Sequence, residues 1–215
     1  MPVVDYGQLL RWFATTYAGP FLTTPVPGSP PALARLYALP GELTRGQDRL
    51  LTPAELYTED GVLVFRHENQ HATRWGVSQE TLDEPDPPVL YERDGNWLPY
   101  LPSVSAAATE TAMSEWLLAG SEDTADNRPL DPETLTTVQR TCRAVPLPEY
   151  PMWTDPDGPP TRWYSSEGVL LRADGETWLW VRATTPAGLA AVRRMLPGDW
   201  ASMPGTDSTT PAARL

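Results

Sequence analysis

Residues 62–77 read VLVFRHENQHATRWGV, and the interpretation of this stretch decides the fold. Its middle, from His67 to His71, spells H-E-x-x-H, the motif with which zinc peptidases bind their metal. That motif requires a helix, because only a helix places residues i and i+4 on one face. The first question is therefore whether the stretch forms a helix or a strand.

The residues around the motif favour a strand. Residues 61–65 are a glycine followed by a short β-branched and aromatic run. On a strand, four residues span about 13 Å, too far for two imidazoles to hold one zinc ion at about 2.1 Å. A helix would place Ala72, Trp75 and Val77 on different sides and would leave no apolar stripe. We therefore interpret the stretch as a strand end and expect no metal at His67 or His71.

Helices and strands are segregated along the chain rather than alternating. Apolar spacing and capping residues predict helices at 3–17, from Ser29, from Thr52, at 104–118, from Asp131 to residue 143 and from Thr185. Strand signals lie at 62–65, 72–77, 88–93, 96–100 and, as a hairpin, at 168–183, with Asp94-Gly95 as a two-residue turn. This order predicts an α+β fold with a central, largely antiparallel sheet of about six strands flanked by helices.

The domain prediction follows from the length of 215 residues, which suits one large domain or two small ones. We predict a single domain over 1–202, in which the C-terminal hairpin and helix at 161–197 extend the same sheet, and a flexible tail at 203–215. The segment 120–129 is typical of an acidic, exposed connection, and a domain boundary at 120–130 is the alternative.

A set of short motifs, in a fixed order, carries a family resemblance. In this sequence they are Glu68-Asn69-Gln70, Trp75-Gly76, Asp86-Pro87-Pro88-Val89 and Trp97. Together they resemble the SUKH superfamily, best over 30–119 and more loosely over 160–200. Many bacterial members of that superfamily look like immunity proteins that guard against polymorphic toxins. Two departures are Pro40-Gly41, where the family often has Gly-Gly, and Glu84-Pro85, where an acid usually directly precedes the D-P-P segment.

The motif residues make physical sense as a framework. Glu68, Asn69 and Gln70 are dense in hydrogen-bonding groups and can satisfy the backbone of a turn. Trp75 is a large core residue, and Gly76 permits close approach of another backbone. We therefore interpret this set as framework rather than chemistry.

Composition limits the classes of partner. The chain has 28 acidic residues against 16 basic ones and a formal net charge of −12, so it repels nucleic acid and anionic membranes and favours a basic partner. A single cysteine, Cys142, cannot form an intrachain disulfide. No secretory leader and no long apolar span is present, so we expect a soluble, cytoplasmic protein.

The resemblance implies a non-enzymatic, immunity-type protein, without cofactors, that neutralises a cognate protein toxin by occluding its active surface. A basic toxin of the nuclease type fits the charge. Candidate partner-binding residues are Glu122, Asp123, Asp126, Trp153, Trp163 and Trp200, although each tryptophan also fits a core position. The alternative is a regulatory or scaffold interaction domain of the same fold. A zinc metalloprotease is the remote alternative, since its third ligand would have to be an unmarked Asp or Glu.

Overall fold

The computed structural model describes residues 4–19, 26–44 and 46–201. Its α-helices are α1 (Tyr6–Phe13), α2 (Ala34–Tyr37), α3 (Val104–Leu118), α4 (Pro132–Thr141) and α5 (Pro186–Met195). A π-helical segment, Ala14–Ala18, continues α1, and a 3-10 turn, Pro31–Leu33, precedes α2. Within the described ranges, no helix is long and apolar enough to cross a membrane.

The strands form two antiparallel sheets, so the predicted α+β class is confirmed. The first sheet contains β1 (Asp48–Leu50), β2 (Tyr57–Glu59), β3 (Val62–Glu68), β4 (Arg74–Ser78), β5 (Val89–Arg93) and β6 (Asn96–Leu101). Its order is β1-β3-β4-β5-β6, and β2 also pairs with β3. The second contains β7 (Ala125–Pro129), β8 (Arg143–Ala144), β9 (Arg162–Ser166), β10 (Val169–Asp174) and β11 (Trp178–Ala183), in the order β7-β11-β10-β9-β8.

The second sheet corrects one prediction. The hairpin within 161–197 does not extend the first sheet, because its strands pair with β7 and β9. β7 comes from the segment that was predicted to be an exposed acidic connection, and residues 125–128 are buried.

Helix α3 is the central element. It begins after Ser103, whose Oγ accepts a hydrogen bond from the Ala106 amide at 3.2 Å. Every residue from Val104 to Leu117 is buried, since α1, α2, β6 and β11 all pack against the helix. A helix buried on all sides must carry small residues for close packing and internal partners for its polar ones. Both ends of the predicted helix at 104–118 are confirmed.

Two hydrophobic clusters lie on either side of the second sheet. The larger one joins α1 and α3 to both sheets and includes Phe13, Trp75, Met113 and Leu170. The smaller one packs α4 and α5 against the other face of the second sheet. Because the larger cluster draws on both halves of the chain, it is consistent with the single domain predicted for 1–202, which stays a prediction. The predicted tail at 203–215 lies outside the described residues.

Local chemistry explains where the other element predictions succeed or fail. Asp94 and Gly95 form the predicted tight turn, with φ of 51° and 77°. Asp131 and Thr185 cap α4 and α5 as predicted. The helix predicted from Thr52 is wrong: Glu55 does accept the Thr52 amide at 2.8 Å, but the chain makes one turn and enters β2. Ser29 does not cap the next helix, which begins after Pro30.

Candidate functional site

A buried ionic network lies between the two sheets and is centred on Arg66 of β3. The Nη1 atom of Arg66 donates to Glu110 Oε2 at 2.8 Å and to Thr111 Oγ1 at 2.9 Å, and its Nη2 pairs with Asp48. The guanidinium also lies 4.5 Å from the centroid of the Trp75 ring, a distance suited to a cation–π contact. Arg66 is only 3% exposed, so these contacts replace the hydration of its two Nη atoms, while its buried Nε has no hydrogen-bond partner among the described residues.

Burial and charge act against each other in this network. Burial tends to lower the pKa of the Arg66 guanidinium, but the carboxylates of Asp48 and Glu110 raise it well above its ordinary value. Burial raises the pKa of the Asp48 carboxyl, and the neighbouring Glu110 carboxylate adds to this, despite the opposing effect of Arg66. The Arg66 guanidinium therefore stays charged, and both carboxylates interact with the same positive charge.

The network continues through α3 to the second sheet. Glu110 Oε1 accepts a hydrogen bond from Ser114 Oγ at 2.7 Å, and Ser114 Oγ accepts one from Arg172 Nη1 at 3.0 Å. Arg172 lies on β10 and pairs with Asp174 at 2.8 Å. The two sheets are thus joined by one chain of charge-assisted hydrogen bonds that crosses a single helix face.

An aromatic cleft of about 640 Å³ lies above this network, between the sheets. Trp153, Trp178 and Trp180 line it and remain partly exposed. Arg172 lies 6.0 Å from the Trp180 ring centroid and 5.7 Å from that of Trp163. The two guanidinium groups that line the cleft, those of Arg66 and Arg172, already have carboxylate partners. We therefore interpret the charged residues at the base of the cleft as a structural link between the sheets.

The family-motif residues around the first turn have framework contacts. The Glu68 carboxylate accepts the amides of Gln70 at 2.7 Å and Ala72 at 3.1 Å, as expected for a residue that satisfies the turn. Asn69 and Gln70 are exposed, whereas Trp75 is only 2% exposed.

The remaining motif residues also serve packing and loop geometry. A Cβ on Gly76 would lie 2.4 Å from Val62 Cγ1 and 2.8 Å from the Leu63 carbonyl oxygen, so this position has room only for glycine. Asp86 accepts the Ser105 amide at 2.8 Å, and the Pro87 carbonyl accepts the Val104 amide at 2.9 Å. Val89 is buried, Pro88 is exposed, and Trp97 lies 5.9 Å from the Arg74 guanidinium.

The H-E-x-x-H stretch does not form the helix that a zinc peptidase needs. β3 ends at Glu68, and His71 follows in a turn with a φ of 61°. The distance argued from an extended strand is wrong, however, because the turn folds back and brings the ring centroids of His67 and His71 to 5.6 Å. Among the described residues, no group of three or more His, Cys, Asp or Glu is arranged to hold a metal ion.

The candidate partner-binding residues occupy different environments. Glu122 and Asp123 are exposed in the turn before β7. Asp126 is 1% exposed and paired with Arg193, so the expectation of an exposed charge there is wrong. Trp163 is core: it is 3% exposed, and its Nε1 donates to Tyr150 Oη at 3.0 Å.

The other two candidate tryptophans are partly exposed. Trp153 lines the cleft and packs against the larger hydrophobic cluster. Trp200 donates from Nε1 to the Leu196 carbonyl at 3.1 Å and lies 5.5 Å from the Arg128 guanidinium.

The fold also has a charged surface that was not predicted from the sequence, and we call it the acidic end. It comprises the exposed residues Asp60, Glu80, Asp83 and Glu84. The β2–β3 turn and the β4–β5 loop meet there, since the Gln79 amide donates to the Gly61 carbonyl at 2.8 Å. Within the described chain, none of the four carboxylates forms an ion pair. The Asp60-Gly61 turn signal could have placed this hairpin from sequence.

Comparison of the chain with protein-family models, with curated proteins and with solved structures gives no match in any of the three. The resemblance to the SUKH superfamily therefore depends on the motif residues described above.

Proposed function

We propose that this chain is a non-enzymatic binding protein of the immunity type, which neutralises a basic, nuclease-type protein toxin by covering its active surface. The observation that carries the proposal is the acidic end of the first sheet, where four exposed carboxylates lie on two adjoining loops without ion-pair partners among the described residues. The family resemblance gives the class of partner.

The electrostatic argument starts from the partner. A nuclease must present cationic groups to hold phosphates, so a surface with several exposed carboxylates can occupy the same groups. A net charge of −12 also steers a basic partner toward the chain and accelerates association. Both effects need carboxylates that do not already pair with a cation. Among the described residues, the four carboxylates of the acidic end form no such pair.

The acidic end is also held in place before a partner arrives. Asp60 and Gly61 form a tight turn with φ of 48° and 77°. On the adjoining loop, Gln79 is bonded to Gly61, and Asp86 is bonded to the first turn of α3. A surface that is ordered before binding loses less conformational entropy in the complex.

Co-expression with the toxin encoded beside this gene tests the proposal. The chain should protect cells, and the triple variant Glu80→Lys, Asp83→Lys, Glu84→Lys should protect far less. The matched control is Glu133→Lys, Glu167→Lys, Asp199→Lys, which changes the net charge equally at exposed positions elsewhere. Asp60 is left unchanged, because its positive φ disfavours lysine.

Three outcomes would count against the proposal. If the neighbouring gene encodes no toxin, or if the chain gives no protection, the regulatory or scaffold alternative is favoured. If both triple variants lose protection equally, the effect is due to net charge, and the acidic end is not the binding surface.

A further inference from the structure

The two histidines of the chain lie closer together than their sequence positions on a strand would allow. The centroids of the His67 and His71 rings are 5.6 Å apart, because the turn at 69–72 returns the chain toward the end of β3. Two imidazoles that share one tetrahedral ion at a metal–nitrogen distance near 2.1 Å have centroids roughly 5 Å apart. His71 is exposed, so its ring can rotate and direct a nitrogen toward His67 without moving its centre far.

A hydrogen bond orients the partly buried ring. His67 Nε2 lies 2.9 Å from Tyr57 Oη, and the same oxygen lies 3.4 Å from Arg74 Nη1, which can only donate. In the tautomer that carries its proton on Nε2, His67 donates to Tyr57 and keeps the Nδ1 lone pair for a ligand. Metal-binding histidines typically donate their second N–H to an oxygen in this way.

The cations near the two imidazoles already have carboxylate partners. Arg74 pairs with Glu59 and Glu92, and Arg49 pairs with Glu55. A metal ion bound by the imidazoles would therefore meet little uncompensated positive charge.

We propose that His67 and His71 form a two-imidazole surface site for a divalent transition-metal ion of the Ni²⁺, Cu²⁺ and Zn²⁺ class, with Tyr57 as the residue that positions His67. This class prefers imidazole, whereas Mg²⁺ prefers oxygen ligands. The remaining coordination positions are open to water or to a side chain of a bound protein. The inference is independent of the proposed toxin-binding function.

The site differs from that of a zinc peptidase. In the peptidase motif the glutamate between the histidines acts as general base. Here the Glu68 carboxylate is bonded to the amides of Gln70 and Ala72 inside the turn. The bound ion would therefore link the turn to the end of β3. Glu68 would not be available as a base to activate a metal-bound water.

Titration of the full chain with Ni²⁺ tests the site cleanly, because His67 and His71 are its only histidines and Cys142 is buried. We expect one equivalent of Ni²⁺ to bind and to broaden the proton NMR signals of both imidazoles. His71→Asn, which keeps a residue that tolerates positive φ, should weaken Ni²⁺ binding at least tenfold. Tyr57→Phe should weaken it about tenfold.

Mg²⁺ titration is the control for binding to the acidic surface, and none of the substitutions should change it. Absence of one-equivalent Ni²⁺ binding by the native chain would overturn the inference. Equal Ni²⁺ binding by the native chain and by the His67→Gln, His71→Asn double variant would do so too, because carboxylates would then be the ligands.

Discussion

Arg66 of β3 and Glu110 of α3 form an ion pair, with Nη1 2.8 Å from Oε2, in which both side chains are only 4% exposed. Glu110 is 44 residues away in the chain. Through Ser114 it also connects to Arg172 of the second sheet. The central helix therefore joins the two sheets by polar contacts as well as by hydrophobic packing.

The first prediction concerns this pair. Glu110→Ala should lower the free energy of unfolding by about 3–5 kcal/mol, because it leaves the Arg66 guanidinium buried with Asp48 as its remaining carboxylate. Urea denaturation measures the loss. Arg49→Ala breaks an exposed ion pair and should have little effect. Equal losses in the two variants would contradict the importance of the buried network.

The second prediction concerns close packing between strands. Gly76→Ala should destabilise the fold by about 1–3 kcal/mol, since the added methyl group would collide with Val62 and with the Leu63 carbonyl. Gly41→Ala is the matched control, because nothing lies within 4 Å of its added Cβ. Thermal unfolding of the two variants compares them directly, and a harmless Gly76→Ala would show that β3 and β4 are less closely packed than described.

The third prediction concerns the loop that enters β1. The buried Glu115 carboxylate accepts the amides of Gln47 at 2.9 Å and Asp48 at 2.9 Å, as well as that of Gly46. Glu115→Ala should cost about 3 kcal/mol and should speed amide hydrogen exchange at residues 46–48. A global loss of stability without faster local exchange would show that these amides do not depend on Glu115.

The fourth prediction is a pH dependence. The pKa of His67 is lowered in the folded chain, mainly by burial, so below its ordinary value of 6.5 the unfolded chain binds a proton that the folded chain resists. The free energy of unfolding should therefore fall as pH drops through 6.5 toward the lower folded-state pKa. Urea denaturation from pH 8 to pH 5 should show a smaller fall for His67→Gln. Parallel curves for the two proteins would refute this contribution.

Local sequence signals predicted much of the first half of the fold. The Ser103 cap and the uninterrupted run after it define α3, and Asp94-Gly95 defines the β5–β6 turn, because both signals act over a few residues. The β2–β3 hairpin was missed, although Asp60-Gly61 is the same kind of signal. The capping pattern at Thr52 predicts a helix, yet the chain makes only one turn there before it enters β2.

The second half was harder to predict, because its polar residues find their partners far away in the chain. Asp126, Asn127 and Arg128 look like a solvated loop in sequence. In the fold, Asp126 pairs with Arg193, Asn127 accepts from Trp178 Nε1 at 3.1 Å, and Arg128 donates to the Leu196 carbonyl at 2.9 Å. No local pattern reveals such partners, so the buried strand β7 was not predicted, and the correctly predicted hairpin at 168–183 was assigned to the first sheet instead of a second one.

We propose that the acidic end guides a basic toxin onto this chain. The most direct test is the association rate constant with the toxin encoded beside the gene, measured as a function of ionic strength. We predict a rate that falls about tenfold or more from low to high salt and that is reduced in the Glu80→Lys, Asp83→Lys, Glu84→Lys variant. No association, or a rate that responds neither to salt nor to this variant, would contradict the claim.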